Sequence, residues 1–170
     1  AVLAEAALDI VAVAGEAIKN GEIVTASERF VGDLYCERET ITRIGRGLEA
    51  PKGATVIDAR GKYVFPGFID PHVHIYLPFM GTFSKDDYET GTKAALVGGT
   101  TTIFEMVCPA RSMSPAEGFS LWRQQAVDKA CCDYTFHMGV TKFDDATAPQ
   151  LREIVAARTV DQRVLVDPAH

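Results

Sequence analysis

The sequence predicts an α/β fold in which a β-rich region precedes alternating strands and helices that form a parallel sheet or barrel. Three observations support this prediction. Short segments of alternating polarity occupy residues 18–62, a nearly continuous apolar run follows at 63–70, and strand-like and helix-like segments alternate from there to residue 157. Apolar residues make up 47% of the chain and charged residues 24%, which is the balance of a globular protein.

The β-rich region is predicted to form the short antiparallel strands of a small β-sandwich. Asn20-Gly21 predicts a tight hairpin turn between two strands. Residues 33–37, 40–44 and 55–58 predict further strands, each with one face buried. Residues 1–17 are apolar but are interrupted by acidic side chains. We therefore predict a weak helix or a disordered extension there, rather than a signal peptide or a membrane span.

The second region, residues 63–157, is predicted to contain three strand–helix units. The apolar run at 63–70 predicts a strand buried on both faces, and therefore a parallel strand. Ser84 is a plausible N-cap for the first helix, and Ser114-Pro115 suits the start of the second. The further elements alternate in order: helices are predicted over 86–97, 114–130 and 148–157, and strands over 100–107 and 134–141.

Charge and cysteine usage exclude several classes of partner. The net charge is −6 and the chain has no run of Lys or Arg, so we expect neither a nucleic acid nor an anionic membrane surface as a partner. The four cysteines form no Cys-x-x-Cys pair. They are interpreted as reduced thiols of a cytoplasmic protein.

The pattern that carries chemistry is Asp70-Pro71-His72-Val73-His74. Histidines at i and i+2 on a strand project from one face, with Cα atoms about 6.5–7 Å apart. Both imidazoles can then converge on one metal ion, for which zinc is well suited. Paired histidines on a strand are often surface or structural residues. Here the pair ends a predicted buried strand, where barrel enzymes build their sites, and this favours metal binding. Asp70 is predicted to orient a ligand histidine or to support the strand end.

At this point the sequence resembles a known family, the cyclic amidohydrolases of the dihydropyrimidinase and hydantoinase type. The resemblance covers about four fifths of the chain, from residue 18 to about 157. The residues that carry it are IKNGEIVTA, VIDARGKYVFPGFIDPHVH, PFMGTFSKDDYETGTKAALVGGTTTI and CCDYTFHMGVT. The resemblance implies the N-terminal part of a (β/α)8 TIM-type barrel, beside a β-sandwich built from both chain ends.

The resemblance also implies an activity. Two zinc-like metals at the barrel mouth would activate a water that attacks the amide carbonyl of a small cyclic substrate, giving an N-carbamoyl amino acid. By motif match, His72 and His74 would be metal ligands, and a homo-oligomer is implied for the full-length protein. Leu77 and Phe79 fall where the family has an apolar gate over the substrate; ordinary packing of an apolar loop is the alternative. Tyr76 departs from the acidic residue of many bacterial relatives, so the preference of the gate stays open.

Two further residues have alternative interpretations. His137, inside the predicted third strand, could be a third metal ligand, but the family does not use that position. A packed or hydrogen-bonded histidine is therefore the favoured interpretation. Glu105 on the second strand could be a buried carboxylate near the site.

The family pattern breaks after residue 157. A fourth strand with a metal-bridging lysine should follow, yet no lysine occurs after Lys142. The catalytic residues are therefore unknown, because this lysine and the catalytic aspartate have no counterparts. Residues 158–170 are interpreted as a divergent tail, with a frameshift as one hypothesis for a premature end. We expect the isolated chain to have little or no hydrolase activity.

Two alternatives to an enzyme stay open. One is a non-catalytic dihydropyrimidinase-related protein that acts through protein contacts, and the other is a degenerate fragment. Non-catalytic relatives tend to lose the metal-binding histidines. Both His72 and His74 are present here, which favours descent from an enzyme.

Overall fold

The structure is a computed structural model that describes residues 15–38 and 40–156 and the backbone of 164–166. The described residues up to Gly67, together with Val97–Gly99, form one compact unit, and the remaining described residues form a second. Most of the predicted extension, 1–17, and of the predicted tail, 158–170, lies outside the described residues. The predicted domain bounds therefore stay predictions.

The first unit is a five-stranded sheet in which β1 is central. Its strands are β1 (Glu16–Val24), β2 (Arg29–Glu37), β3 (Thr40–Gly45), β4 (Thr55–Asp58) and β5 (Tyr63–Val64). The order is β3-β2-β1-β4, with β5 also paired to β1. The β1–β2 and β2–β3 pairs are antiparallel, as predicted. The antiparallel prediction is wrong for β4, which runs parallel to β1 because β3 already runs in that direction and a crossover joins β3 to β4. Strand β5, which belongs to the run predicted to be parallel, also pairs parallel to β1.

The predicted hairpin at Asn20-Gly21 is also wrong, because β1 continues through both residues. Asn20 has the left-handed φ of +61° that a tight turn uses. Here it produces a shift in the β1–β2 register between Ile18 and Gly21, which is a bulge within the strand. The Asn20 N–H donates to Asp33 Oδ1 at 2.8 Å, and its side chain donates to Asp58 Oδ1 at 3.1 Å. These two carboxylates stabilise the bulge.

The first unit buries a small apolar cluster and one ion pair. The cluster comprises Ile18, Ile23, Leu34, Ala59 and Val64. The buried Asp33 carboxylate pairs with the Lys19 ammonium at 2.8 Å and accepts the Leu48 N–H at 2.8 Å. These contacts lower the pKa of Asp33 against the opposing effect of burial.

The second unit is a parallel sheet whose strands are joined by helices. Its elements are β6 (Phe68–Val73), β7 (Pro78–Phe79), β8 (Thr82–Phe83), α1 (Tyr88–Val97), β9 (Thr100–Val107), α2 (Pro115–Ala126), β10 (Asp133–Met138), α3 (Thr147–Ala156) and β11 (Val164–Val166). The order is β11-β10-β9-β6, with all three pairs parallel. This arrangement confirms the predicted fold class, an α/β chain that begins a βα barrel after a β-rich region.

The apolar run at 63–70 is not one strand. It divides at Phe65-Pro66-Gly67 into β5 in the first unit and β6 in the second. Pro66 has no N–H to give to a ladder, which favours a break at this point. Burial on both faces was a wrong prediction, since Ile69 is 61% exposed. In the described part of the chain β6 pairs with β9 alone, so it lies at a sheet edge.

The two predicted N-caps had different outcomes. Ser114 caps α2 through a capping box, in which the Ser114 N–H donates to Glu117 Oε2 at 2.8 Å. Helix α1 begins at Tyr88 rather than residue 86, because Asp87 supplies the cap. Its Oδ1 accepts the Thr90 N–H at 2.8 Å. Ser84 instead bonds to the backbone on the far side of the loop. Helix α2 ends at Ala126, short of the predicted residue 130.

The core of the second unit lies between the sheet and its helices. Its members include side chains from β9, β10 and all three helices: Tyr88, Ile103, Val107, Trp122, Ala126, Phe136, Met138 and Ile154. Within the described residues no helix is both long and apolar enough to cross a membrane.

Candidate metal centre

A bulge in β6 places the two histidines. Asp70 lies opposite Ile103 and Val73 lies opposite Glu105, so β6 has one more residue than β9 over this interval. The extra residue falls at Pro71-His72, near the end of the strand. Bulges re-aim the side chains around them and recur next to active sites. The spacing of i and i+2 on a regular strand does not include this bulge, which lies at the first histidine.

The imidazoles of His72 and His74 converge. Their Nε2 atoms lie 3.2 Å apart, with ring centroids 5.1 Å apart and ring planes at 65°. Two nitrogens bound to one tetrahedral zinc, each at about 2.0–2.1 Å, lie about 3.3 Å apart. The observed separation matches that requirement, and it also suits a hydrogen bond between the rings in one tautomer. Both residues are exposed, so an ion can reach the nitrogens.

The charge state of His74 favours metal binding. Partial burial lowers the pKa of His74, and repulsion from the His72 ring lowers it further. The neutral imidazole, whose nitrogen lone pair binds metal, is therefore favoured at neutral pH.

Asp70 bonds to the backbone of the pair rather than to a ring. Its Oδ1 accepts the His72 N–H at 3.2 Å. This contact fixes the main chain at the bulge, where His72 leaves the regular ladder. The predicted role of Asp70 in orienting a ligand histidine stays a prediction. This hydrogen bond to the His72 backbone is the contact through which Asp70 would act.

Glu105 holds the segment that follows His74. It is fully buried, and its Oε2 accepts the Ile75 N–H at 2.8 Å. Burial raises its pKa to about 7, although the N–H groups of Ile75 and Tyr76 oppose that rise. The Trp122 indole N–H also opposes it without reaching hydrogen-bond geometry. The sequence indicated a buried carboxylate here, but no local pattern indicated its bond to Ile75.

Ser84 is a second residue whose role the sequence did not indicate. Its hydroxyl donates to the Ile75 carbonyl and accepts the Leu77 N–H at 3.2 Å. The Ser84 N–H donates to the Leu77 carbonyl at 3.0 Å. Ser84 therefore closes the loop between the histidine pair and α1, where the sequence predicted a helix cap.

The predicted gate residues lie on and beside a small hairpin. Strands β7 and β8 pair Pro78 with Phe83 and Phe79 with Thr82. Phe79 is 62% exposed, whereas Leu77 is half-buried. The packing alternative therefore does not account for Phe79. Contact of Leu77 and Phe79 with a substrate stays a prediction.

A third metal ligand is not assembled among the described residues. No group of three or more His, Cys, Asp or Glu side chains suited to a metal occurs there. His137 lies on β10 and stacks on Phe104, with ring centroids 5.4 Å apart. Its packing agrees with the favoured interpretation of this histidine. The structure thus brings together two nitrogen donors, which fit part of a zinc shell.

Comparison with known proteins assigns the family. The model of the amidohydrolase family matches residues 63–168, which includes the histidine pair. D-hydantoinase of Geobacillus stearothermophilus is 44% identical over 81% of this chain and 29% of its own length. Dihydropyrimidinase-related protein 5 of Rattus norvegicus is 40% identical over 85% of this chain and 26% of its own length.

A solved structure of a hydantoinase is also similar to this chain. The D-hydantoinase (dihydropyrimidinase) from Thermus sp. superposes with a TM-score of 0.79 and 66% identity, over 82% of this chain and 31% of that one. The chain spans about three tenths of the length of these relatives. With the family match covering most of its residues and the histidine pair closing the first barrel-type strand, the chain belongs to the amidohydrolase family.

Proposed function

We propose that the complete protein is a metal-dependent hydrolase that opens cyclic amide (ureide) rings such as dihydropyrimidines or hydantoins to N-carbamoyl amino acids. This chain would supply the start of the barrel and the first two ligands. The observation that carries the proposal is the 3.2 Å approach of the His72 and His74 Nε2 atoms. Similarity to hydantoinases, which are metal-dependent, supports it.

His72 and His74 would hold a zinc ion through Nε2, since imidazole and tetrahedral geometry both suit that metal. When bound, such a metal polarises a carbonyl and acidifies water. Asp70 would keep the His72 backbone in place. Leu77 and Phe79 would contact the substituent of the ring, because the hairpin that follows His74 in the chain exposes Phe79 and an aromatic side chain suits an apolar group.

The compartment, the oligomeric state and the partners of the protein also belong to the proposal. We infer a cytoplasmic homo-oligomer with a small cyclic amide as its substrate and no nucleic-acid or membrane partner. The net charge of −6 and the absence of a basic run support the exclusion of anionic partners.

The non-catalytic alternative is a protein that acts through contacts, as a dihydropyrimidinase-related protein would. Identity does not separate the two, since the chain is 44% identical to a hydantoinase and 40% identical to such a related protein. The convergent histidine pair favours the hydrolase, because a protein without metal chemistry has no need of two facing nitrogen donors.

Zinc binding tests the proposal. The dissociation constant for Zn2+ is measured by competition with a chromophoric chelator for the chain and for His72→Ala and His74→Ala, with His137→Ala as the matched histidine control. We expect each of the first two variants to lose at least about tenfold in affinity and the control to keep it. Equal affinity in all four proteins would overturn the proposal.

A further inference from the structure

We propose that Glu105 is a positioning residue for the histidine pair: its carboxylate fixes the peptide that follows His74 and so holds the two Nε2 atoms close together. This inference rests on the proposed function, because holding the two rings together matters only if they bind a metal. The contacts themselves are present without metal.

Glu105 restrains the chain on both sides of His74. It lies opposite Val73 in the β6–β9 register, and its Oε2 accepts the Ile75 N–H at 2.8 Å. Val73 and Ile75 are the two neighbours of His74. One residue of β9 therefore fixes the backbone immediately before and immediately after the second histidine.

The peptide that Glu105 holds is also held from its other side. The Ser84 hydroxyl donates to the Ile75 carbonyl, and the Ile75 side chain is buried against α1. A Cβ atom at Gly91 of α1 would lie 3.2 Å from that side chain, so Ile75 has little room to move. With the backbone fixed in this way, side-chain torsions are the main freedom left to the His74 ring.

The cost of burying Glu105 indicates a role beyond packing. Its Oε1, the Tyr88 hydroxyl and the Trp122 indole N–H are all buried and have no hydrogen-bond partner among the described residues. A buried carboxylate is unfavourable unless its oxygens are satisfied, and an apolar side chain of similar size is often equally stable or more stable. The bond to Ile75 is the feature that an apolar residue could not supply.

Two variants separate this role from simple packing. Glu105→Gln keeps an oxygen acceptor at the same reach, whereas Glu105→Leu removes the acceptor and keeps similar bulk. Thr135→Val is the matched control, because Thr135 Oγ1 is another buried atom without a partner among the described residues and lies on β10.

The metal-free readout is the nuclear Overhauser effect between the ring protons of His72 and His74, and the second readout is the Zn2+ dissociation constant. We expect Glu105→Leu to lose the ring contact and to weaken Zn2+ binding by about 10- to 100-fold. Glu105→Gln should stay within about threefold of the parent protein, and Thr135→Val should match it.

A folded Glu105→Leu variant that keeps both the ring contact and the Zn2+ affinity would overturn the proposal. Should that variant fail to fold, Glu105→Asp serves instead, because its carboxylate is one methylene too short to reach the Ile75 N–H. Retention of the ring contact in that variant would also overturn it. Loss of the ring contact in Glu105→Leu, together with no Zn2+ binding by the parent protein, would sustain the positioning role while refuting the metal site.

Discussion

His72 and His74 face each other across 3.2 Å although one lies within β6 and the other follows its last residue, Val73. A regular strand sets alternate Cα atoms about 6.5–7 Å apart, a separation from which two imidazoles can converge. The backbone around this pair is shaped by the bulge before Val73 and by the buried Glu105 carboxylate, which accepts the Ile75 N–H.

Removal of the Asp70 acceptor should weaken the metal site. Its Oδ1 accepts the His72 N–H at 3.2 Å, and without it the bulge can relax. We expect Asp70→Ala to raise the Zn2+ dissociation constant by about tenfold, at the lower end of the effects known for groups that support metal ligands. Asp70→Asn keeps an oxygen acceptor and should lie close to the parent protein. An unchanged constant in Asp70→Ala would exclude this role.

The stability of the chain should depend on pH through Glu105. Burial raises the pKa of this carboxyl to about 7 from its usual 4.5. A group whose pKa is raised on folding gives its full stabilisation below the unfolded pKa and loses it as pH rises through the folded one. Between pH 5 and 8 the free energy of unfolding should therefore fall by roughly 2.5 kcal/mol more in the parent protein than in Glu105→Gln.

Urea unfolding at several pH values measures that difference. Groups common to both proteins cancel in the comparison, including His74, whose lowered pKa gives the opposite pH dependence. Parallel pH profiles for the two proteins would contradict the prediction, because they would show that folding does not raise the pKa of Glu105.

The left-handed residue in β1 gives a stability test in the first unit. Asn20 has φ of +61°, a conformation that costs most other residues about 1–2 kcal/mol. Asn20→Ala should lower the free energy of unfolding by about that amount, whereas Asn20→Gly should lower it less, since glycine adopts this φ without strain. Equal losses in the two variants would show that the side-chain bond to Asp58, and not the backbone, sets the cost.

Phe79 should contribute to recognition of the ring substituent. Its side chain is 62% exposed on the β7–β8 hairpin. We expect Phe79→Ala to weaken binding of a 5-aryl hydantoin to the zinc-loaded protein by about tenfold and to leave unsubstituted hydantoin unaffected. Isothermal titration of both ligands checks this, with Phe143→Ala, another exposed phenylalanine, as the control. Equal effects on the two ligands would remove Phe79 from the gate.

The sequence predicted elements whose signals are local. Strand β9 was predicted at its observed bounds because its β-branched run is continuous, and the start of α2 was predicted because Ser114 and Pro115 form a cap and first turn. Asn20-Gly21 failed because the same two residues suit a hairpin turn and a bulge, and the choice between them depends on Asp33 and Asp58, which are distant in sequence.

The candidate site also contains residues that a local sequence pattern predicts and residues that it does not. The histidine pair could be predicted from its spacing, because both donors belong to one short motif. The bulge depends on the β9 partner, and the Glu105 bond joins residues 30 positions apart, so neither has a local signal. Ser84 was misassigned because a serine before a helix suits a cap, whereas its loop partners become visible only when the chain has folded back.

Zinc-edge anomalous diffraction from crystals of the chain soaked in Zn2+ tests the central claim most directly. We expect an anomalous peak about 2.0–2.1 Å from the Nε2 atoms of both His72 and His74. Zinc bound instead at His137 or at the thiols of Cys131 and Cys132, with none between the paired rings, would contradict the assignment of this pair as metal ligands.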